Sequence, residues 1–231
     1  MISIPVIVVL QNDSELTRYK NHEFLPFTKL FIENYGIIKN TIFFCADDES
    51  EKLCMQLGLN NIHRCKEEIL SDKTTFLAIN DYFMNEEKDA DWCIILKPYQ
   101  IIKDSTILYK SIQNINDNYD IIAFSSHMYD MKNITVPNNH SLETVTFDSI
   151  ENTKKVLTIL DDSLFVAKTS FLKQSFIESK GDVKKYSKLL ASGKILILDS
   201  VDEIQIHFTS INQINMFMHF LSEIKYKADI I

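Results

Sequence analysis

Short apolar runs alternate with amphipathic stretches through the first half of the chain, and this alternation constrains the fold more than any other feature. The runs are Ile4–Leu10, Thr41–Ala46, Trp92–Leu96 and Ile121–Phe124, and each is apolar on both of its faces. Strands buried on both faces are typical of parallel sheets that helices cover on each side. The pattern therefore predicts an α/β fold with a doubly wound, mostly parallel sheet of the Rossmann-like kind.

The stretches between these runs have apolar residues at helical spacing. They are Pro26–Tyr35, Glu49–Leu57, Thr74–Asn85 and Ser105–Ile115. Asp48 with Glu51 is predicted to form a capping box for the second of them. Doubly wound sheets bind their ligands beyond the carboxyl ends of the strands. We therefore expect the loops that start at Gln11, Ala46 and Lys97 to line one crevice.

The alternation is interrupted in the second half of the chain. A polar stretch at about 127–156 is interpreted as an arm inserted into a single domain that spans 1–231. The α/β pattern then returns with the apolar runs Leu164–Ala167 and Ile195–Leu198, a helical stretch between them, and a last helix that starts at Ser210.

Composition narrows the classes of protein to consider. With 231 residues, 45% of them hydrophobic, the chain is long enough to bury one sizeable core. Its formal net charge of −8 and its lack of a basic stripe argue against nucleic acid as the main partner. The first apolar run contains Pro5, lacks a basic start and is too short to span a bilayer. We therefore predict no signal peptide and no membrane span.

The four cysteines show no metal-binding spacing. Cys45, Cys54, Cys65 and Cys93 form neither a CxxC nor a CxxxxC pair, and two of them lie inside apolar runs. Reduced, buried thiols are typical of cytoplasmic proteins. We predict a cytoplasmic protein whose cysteines pack in its core.

Polar segments follow the first two apolar runs. Leu10–Asn21 reads L-Q-N-D-S-E-L-T-R-Y-K-N, and Cys45–Glu49 reads C-A-D-D-E. These segments resemble the A-R-G-G-S-K-R-x-P-x-K-N and S-T-D-D-E motifs of the acylneuraminate cytidylyltransferases, also called CMP-sialic acid synthetases. Ser14, Lys20 and Asn21 match the first motif.

Two later segments extend the resemblance along nearly the full chain. Arg64 and Asp72 are in register with the family segment R-P-x-x-L-A-x-D-x-x-S-S. The stretch Leu96–Lys103 is similar to L-Q-P-T-S-P-L-R, and Lys97 stands where the family has a glutamine that contacts the acyl sugar.

The resemblance implies a fold, an activity and a set of site residues. The fold is nucleotide-diphospho-sugar-transferase-like, with the inserted arm forming a homodimer. The activity is transfer of CMP from CTP to a nine-carbon, sialic-acid-like ulosonic acid in surface-glycan biosynthesis. The implied roles are catalysis for Lys20, nucleotide binding for Ser14, Arg18, Asn21 and Asp72, and substrate binding for Arg64 and Lys97.

Each implied role has a structural alternative. Lys20 is either a phosphate-gripping cation or a solvated lysine in a polar loop. Ser14 and Asn21 either donate to phosphate or satisfy a turn through side-chain to backbone hydrogen bonds. Asp47 and Asp48 either bind a metal-nucleotide or cap the following helix, and capping is the favoured role of Asp48.

The chain also departs from the family at positions that matter for chemistry. The first loop has no glycine, although a backbone that wraps phosphate normally needs one to reach positive φ. The family's D-I-D-T motif falls on Gln205–Thr209, so Gln205 and His207 replace the carboxylates that hold magnesium.

An amide and an imidazole bind Mg²⁺ poorly. We therefore predict no metal site in this register, whereas a shifted register would bring Asp202 or Glu203 inward. Mg²⁺ is expected only if the protein is active. Two hypotheses follow: a cytidylyltransferase-like enzyme with impaired catalytic motifs, or a catalytically inactive homologue with a binding or scaffolding role.

Overall fold

A computed structural model describes most of the α/β framework of the chain. The described residues are 4–11, 14–34, 41–64, 91–98, 100–102, 118–128, 143–145, 165–180 and 182–205, with single positions 211, 212, 215 and 219. The strands among them are β1 (Val6–Leu10), β2 (Thr41–Cys45), β3 (Ile62–Arg64), β4 (Trp92–Leu96), β5 (Gln100–Ile102), β6 (Ile121–Met128), β7 (Glu143–Val145), β8 (Phe165–Lys168) and β9 (Ile195–Gln205). The helices with described bounds are α1 (Glu15–Asn34), α2 (Asp48–Gln56), α3 (Thr169–Ser179) and α4 (Val183–Ala191).

The described strands form one mixed sheet in the order β3-β2-β1-β4-β8-β6-β9-β5, and β7 also pairs with β9. Strands β3, β2, β1 and β4 are parallel neighbours. Strand β8 is antiparallel to both β4 and β6, while β6 and β9 are parallel to each other. The predicted doubly wound α/β sheet, parallel through the half that contains β1, is confirmed.

Helices cover both faces of this sheet. On the face that we call the α1–α2 face, Val8 and Phe43 pack with Leu25 and Ile32 of α1 and Cys54 of α2. Because successive strand residues point to opposite faces, the neighbouring residues of the same strands build the other core.

On that opposite face, the α3–α4 face, Val9 and Phe44 pack with Leu172 of α3 and with Tyr186 and Leu190 of α4. Burial on both sides explains why the strand runs are apolar throughout.

Helix α1 is the largest departure from the predicted elements. The sequence pattern places a helix at Pro26–Tyr35, whereas the helix begins at Glu15 and has Pro26 in its interior. Its buried side chains repeat at helical spacing from its second turn onward, namely Lys20, Asn21, Phe24, Leu25, Thr28 and Ile32. Proline is favoured at the first helical position, and this preference misplaced the start. Packing of the long amphipathic face offsets the backbone hydrogen bond that Pro26 removes.

Other boundaries agree more closely, although the last strands are longer than expected. Strand β6 continues beyond Phe124 to Met128, with a register shift between Ser125 and His127, and β9 extends to Gln205. The helices predicted at 74–85 and 105–115 lie outside the described residues. Of the last predicted helix, positions 211, 212, 215 and 219 are described, and they are helical.

The predicted arm at 127–156 is described at only a few positions. Within it, Glu143–Val145 forms β7, which pairs antiparallel with Ile195–Ile197 of β9. The remainder of the arm, apart from 127 and 128 in β6, lies outside the described residues, so its role in a homodimer stays a prediction. No helix in the described part of the chain is long and apolar enough to cross a membrane.

Candidate functional site

The order of the strands reverses direction beside β1. The chain passes from β1 to β2 and β3 on one side, and it returns to β4 on the other side of β1. Open α/β sheets bind ligands in the crevice that such a topological switch point creates, beyond the carboxyl ends of the strands. Leu10 pairs with Cys45, and Val8 pairs with Leu96. The residues after these strands therefore share one edge of the sheet, which we call the carboxyl edge.

Ser14 directly precedes helix α1 at this edge. Its Oγ accepts a hydrogen bond from the backbone N–H of Thr17 at 3.1 Å and lies 2.9 Å from the Thr17 hydroxyl. Its carbonyl accepts a hydrogen bond from the Arg18 N–H at 3.1 Å. A side-chain oxygen in this position satisfies an N–H group that has no partner within the helix. Ser14 thus has the structural role that the sequence left open, and a contact with nucleotide stays a prediction.

Lys20 and Asn21 lie on the inner side of α1 and are not in a loop. Lys20 is 9% exposed and Asn21 is 3% exposed. Asn21 Nδ2 donates a 2.6 Å hydrogen bond to the carbonyl of Gln11, which ties the helix to the end of β1. Asn21 Oδ1 is buried and has no hydrogen-bond partner among the described residues. A buried acceptor left in this state costs about 1–3 kcal/mol, so a donor from solvent or from a ligand would stabilise it.

Arg18 is half exposed and lines a cleft between α1 and α2. Its Nη1 lies 3.8 Å from Glu49 Oε2, and both side chains are at least half exposed. The cleft, of about 770 Å³, is lined from α1 by Arg18, Tyr19 and Asn21 and from α2 by Glu49, Ser50 and Leu53, among others. The structure therefore brings Arg18 and Asn21 together around one cavity, whereas Ser14 and Lys20 are not among its lining residues.

Asp47 caps helix α2 with a single carboxylate oxygen. Its Oδ1 accepts hydrogen bonds from the Ser50 backbone N–H at 2.8 Å and from the Ser50 hydroxyl at 2.7 Å. The predicted capping box of Asp48 with Glu51 is wrong by one residue, because Asp48 is the first residue of the helix and Asp47 has the extended backbone of an N-cap.

Arg64, at the end of β3, makes contacts within its own chain. Its Nη1 donates to the carbonyl of Cys45 at 3.3 Å and to the carbonyl of Ala46, and its Nε lies 3.4 Å from Asp48 Oδ1. We call this arrangement the Arg64 clamp. The guanidinium holds the end of β2 against the end of β3 at the carboxyl edge. Its predicted contact with substrate stays a prediction.

Lys97 directly follows β4 at the switch point and is partly buried. Gln100 of β5 pairs with Gln205, the last residue of β9. The backbone of Gln205 therefore lies beside the segment that follows Lys97, as a residue of the same crevice would. Asp72 and His207, as well as the side chain of Gln205, lie outside what the structure describes.

The described donors at the carboxyl edge do not fit a magnesium site. No group of three His, Cys, Asp or Glu side chains that could hold a metal ion occurs in the described ranges. Asp47 is engaged in capping α2, and Asp48 lies beside the Arg64 guanidinium. Mg²⁺ binds one or two carboxylates in near-octahedral geometry. Of Asp47 and Asp48, only the carboxylate of Asp48 is left for a metal, and it lies next to the positive charge of Arg64.

Two residues at this edge were not among the predicted site residues. Gln11 is buried, and its carbonyl accepts a hydrogen bond from the Asn21 side chain. Asp47 caps α2, whereas the sequence favoured Asp48 for that role. The signal for Asp47 was present in the sequence, because Asp47 and Ser50 have the spacing of an N-cap and its N3 residue. The pairing of Gln11 with Asn21 spans ten residues across a strand-to-helix junction, and local pattern alone does not predict it.

Comparisons with known proteins agree with the topology. No family model matches this chain, and no curated protein matches its sequence. The fold is similar to that of 4-diphosphocytidyl-2C-methyl-D-erythritol synthase from Anaerococcus prevotii, with a TM-score of 0.52, 8% identity and coverage of 95% of this chain and 96% of that chain. It is also similar to S. aureus TarS 1-349 in complex with UDP-GlcNAc, with a TM-score of 0.50, 12% identity and coverage of 90% and 59%.

At these identities the likeness defines the fold alone. Together with the strand order and the switch point beside β1, it places the chain in the nucleotide-diphospho-sugar-transferase fold, a Rossmann-like α/β class.

Proposed function

We propose that this chain is a cytidylyltransferase-like protein of surface-glycan biosynthesis, acting in the cytoplasm as a homodimer. It binds CTP, and a nine-carbon, sialic-acid-like sugar acid if it is active, in the crevice at the carboxyl edge. The observation that carries the proposal is the switch point between β1 and β4, because Lys97 follows one strand and Gln11 the other. The name of the A. prevotii protein, a 4-diphosphocytidyl-2C-methyl-D-erythritol synthase, supports cytidine as the nucleoside.

The beginning of α1 supports weak rather than tight binding of the triphosphate. A helix N-terminus attracts phosphate through its unpaired N–H groups and its positive dipole end. Here the Thr17 N–H already donates to Ser14, and Glu15 places a carboxylate in the first turn. A negative charge at this point repels phosphate. We therefore expect catalysis to be impaired.

The alternative function, an inactive homologue that binds or scaffolds a partner, is favoured by a separate observation. Two polar side chains that could serve catalysis at the carboxyl edge, Asp47 and Arg64, are occupied within the chain itself. Groups that hold a fold together are poorly placed to follow charge that develops in a transition state. Under this alternative the crevice keeps its shape and its ligand without turnover.

Calorimetry with CTP in the presence of Mg²⁺ tests the proposed ligand. We expect binding with a dissociation constant above about 1 μM, the scale of roughly −8 kcal/mol. UTP and ATP are the comparison nucleotides, and CTP should bind most tightly. The absence of any nucleotide binding would contradict the proposal, whereas submicromolar binding of CTP would contradict the impaired site.

Lys97→Ala tests whether the triphosphate reaches the switch point, beside the substrate position that the resemblance implies for Lys97. Loss of a charge-assisted contact should weaken CTP binding by about 10- to 100-fold. Lys184→Ala is the matched control, because Lys184 lies on α4, on the opposite face of the sheet. Lys20→Ala is less informative, since Lys20 is buried and its loss also affects the fold. Equal effects at positions 97 and 184 would place the ligand elsewhere.

Turnover separates the enzyme from the inactive homologue. Pyrophosphate release from CTP should be measured with a panel of nine-carbon ulosonic acids, alongside light scattering for the homodimer. Slow release of pyrophosphate that requires one of the ulosonic acids supports the impaired enzyme. Binding of CTP without release, for every acid, favours the scaffolding role.

A further inference from the structure

Cys45 and Cys54 form a close pair of thiols beneath the carboxyl edge. Their Sγ atoms lie 3.7 Å apart, and both residues are fully buried. Cys45 is the last residue of β2, and Cys54 lies in α2. A disulfide bond is about 2.05 Å long, so the two sulfur atoms need to approach by about 1.6 Å. Closing this gap requires the two side chains to rotate towards each other or α2 to move towards β2.

The position of the pair connects it to the residues of the crevice. The carbonyl of Cys45 is one of the two backbone acceptors in the Arg64 clamp. Asp47, which caps α2, follows Cys45 by two residues. A covalent bond between the two sulfurs would therefore fasten α2 to the end of β2 directly beside the clamp.

We propose that Cys45 and Cys54 are an oxidation-sensitive dithiol, which a peroxide converts into an intramolecular disulfide. One sulfur attacks the peroxide oxygen and becomes a sulfenic acid as the O–O bond breaks and water leaves. The second sulfur then attacks the sulfenic sulfur, the S–S bond forms, and a second water leaves with the remaining thiol proton. Two thiols are oxidised and one peroxide is reduced, and a small dithiol reverses the reaction.

Cys93 is the internal control for this chemistry. It lies on the α3–α4 face, where its Sγ donates to the carbonyl of Ala167 at 3.7 Å. Burial raises the pKa of the Cys93 thiol to about 12. Cys45 and Cys54 are as deeply buried as Cys93, so Cys93 controls for burial, and the pair differs from it in the 3.7 Å approach of two sulfur atoms. The other two described cysteines, Cys45 and Cys54, pack in the core of the opposite face.

The disulfide between Cys45 and Cys54 should change the backbone dynamics of α2. Fastening α2 to β2 removes local openings of that helix, so its amide hydrogens should exchange more slowly after oxidation. Helix α4 has the same length of nine residues and lies on the opposite face, so it serves as the reference. Exchange in α4 should not change.

The test is treatment of the full-length protein with hydrogen peroxide, then alkylation under denaturing conditions and peptide mass mapping. We expect a peptide in which Cys45 is linked to Cys54, a loss of two free thiols, and full reversal by dithiothreitol. Cys93 should remain alkylatable. The proposal is overturned if Cys45 and Cys54 both remain free thiols, or if they are linked only to Cys65 or to a second chain.

Two variants sharpen the result. Cys65→Ser should leave the linked peptide and the slower exchange of α2 intact. Cys54→Ser should abolish both, and Cys45 should stay free of any intramolecular link. If the Cys54 variant does not fold, mapping of the wild-type protein still decides the question, because the linked peptide identifies both partners directly.

Discussion

The two faces of the sheet are built from the same strands but hold their helices in different ways. On the α3–α4 face, α3 and α4 pack over a continuous core that includes the fully buried Tyr186. On the α1–α2 face, polar contacts join the helices beside a cleft. Arg18 approaches Glu49 in the wall of the cleft, and Lys29 donates a 2.6 Å hydrogen bond to the carbonyl of Leu57, the residue after α2.

This difference separates stability from function. The described site residues, the cleft and the close thiol pair all belong to the carboxyl edge or to the α1–α2 face, where packing between helices is incomplete. The α3–α4 face contributes apolar burial, which is the dominant favourable term in folding. We therefore expect substitutions on the α3–α4 face to affect mainly stability, and substitutions on the α1–α2 face to affect mainly ligands and local motion.

A matched pair of leucines should show the largest effect. Leu190→Ala, in the core of α4, should lower the free energy of unfolding by about 2–5 kcal/mol, the usual cost of a fully buried leucine. Leu53→Ala, in the wall of the α1–α2 cleft, should cost about 1 kcal/mol, because part of its side chain already borders open space. Urea unfolding measures both. Equal losses would remove the contrast between the faces.

The raised pKa of Cys93 should make the α3–α4 face sensitive to alkaline pH. Burial shifts this pKa from 9.0 to about 12, so the folded protein keeps a proton that the unfolded chain loses. The contribution of the neutral thiol to the free energy of unfolding is complete below pH 9. Above pH 9 it declines by at most about 1.4 kcal/mol per pH unit, and it is lost near pH 12. The difference in stability between wild type and Cys93→Val, measured from pH 8 to 11, should follow this slope. A constant difference would contradict it.

The cap of α2 tests whether the α1–α2 face depends on polar contacts. Asp47→Ala removes the acceptor of the Ser50 N–H and should cost about 1–2 kcal/mol. Asp47→Asn retains a capping oxygen and should cost much less. Ser14→Ala removes the corresponding cap of α1. It should lower the free energy of unfolding by about 0.5–1 kcal/mol, because the hydrogen bond from the Thr17 N–H to Ser14 Oγ is exposed. Circular dichroism during thermal unfolding measures these losses, and an unaffected Asp47→Ala would show that α2 is held by packing alone.

The exposed ion pair should have the smallest effect on stability. Arg18→Gln breaks the contact with Glu49, and because both side chains are exposed we expect a change of at most about 0.5 kcal/mol. The same variant should weaken binding of any anionic ligand in the cleft. A large loss of stability without an effect on CTP binding would assign Arg18 to the fold rather than to the site.

The sequence predicted the framework well, because its signal is local and repeated. Runs such as Thr41–Cys45 and Trp92–Leu96 are apolar on both faces, and a parallel sheet between two helical layers is the structure that buries them. The start of α1 was predicted less well. Pro26 is a strong local signal for a helix start, whereas the true start depends on Ser14 together with the packing of the whole inner side of the helix.

For the candidate site, the sequence predicted which residues belong to it but not which contacts they make. Arg18, Lys20 and Asn21 are close in sequence, but a helix directs neighbouring residues to different sides. Lys20 is therefore buried away from the cleft, whereas Arg18 and Asn21, three residues apart, both line it. The partners of Arg64 come from the end of another strand, and the pairing of β2 with β3 that creates this contact is not encoded in any local pattern.

What the sequence by itself determined is the class of fold, since periodic burial of apolar residues constrains a chain of this kind to a doubly wound sheet. What only the tertiary structure decided is which polar residues are engaged within the chain and which line the cleft. Ser14, Asp47 and Arg64 carry the residue types of a ligand site, yet they satisfy the backbone of their own strand and helix ends. The reason is physical: N–H and C=O groups at the ends of helices and strands need partners, and the nearest polar side chains supply them first.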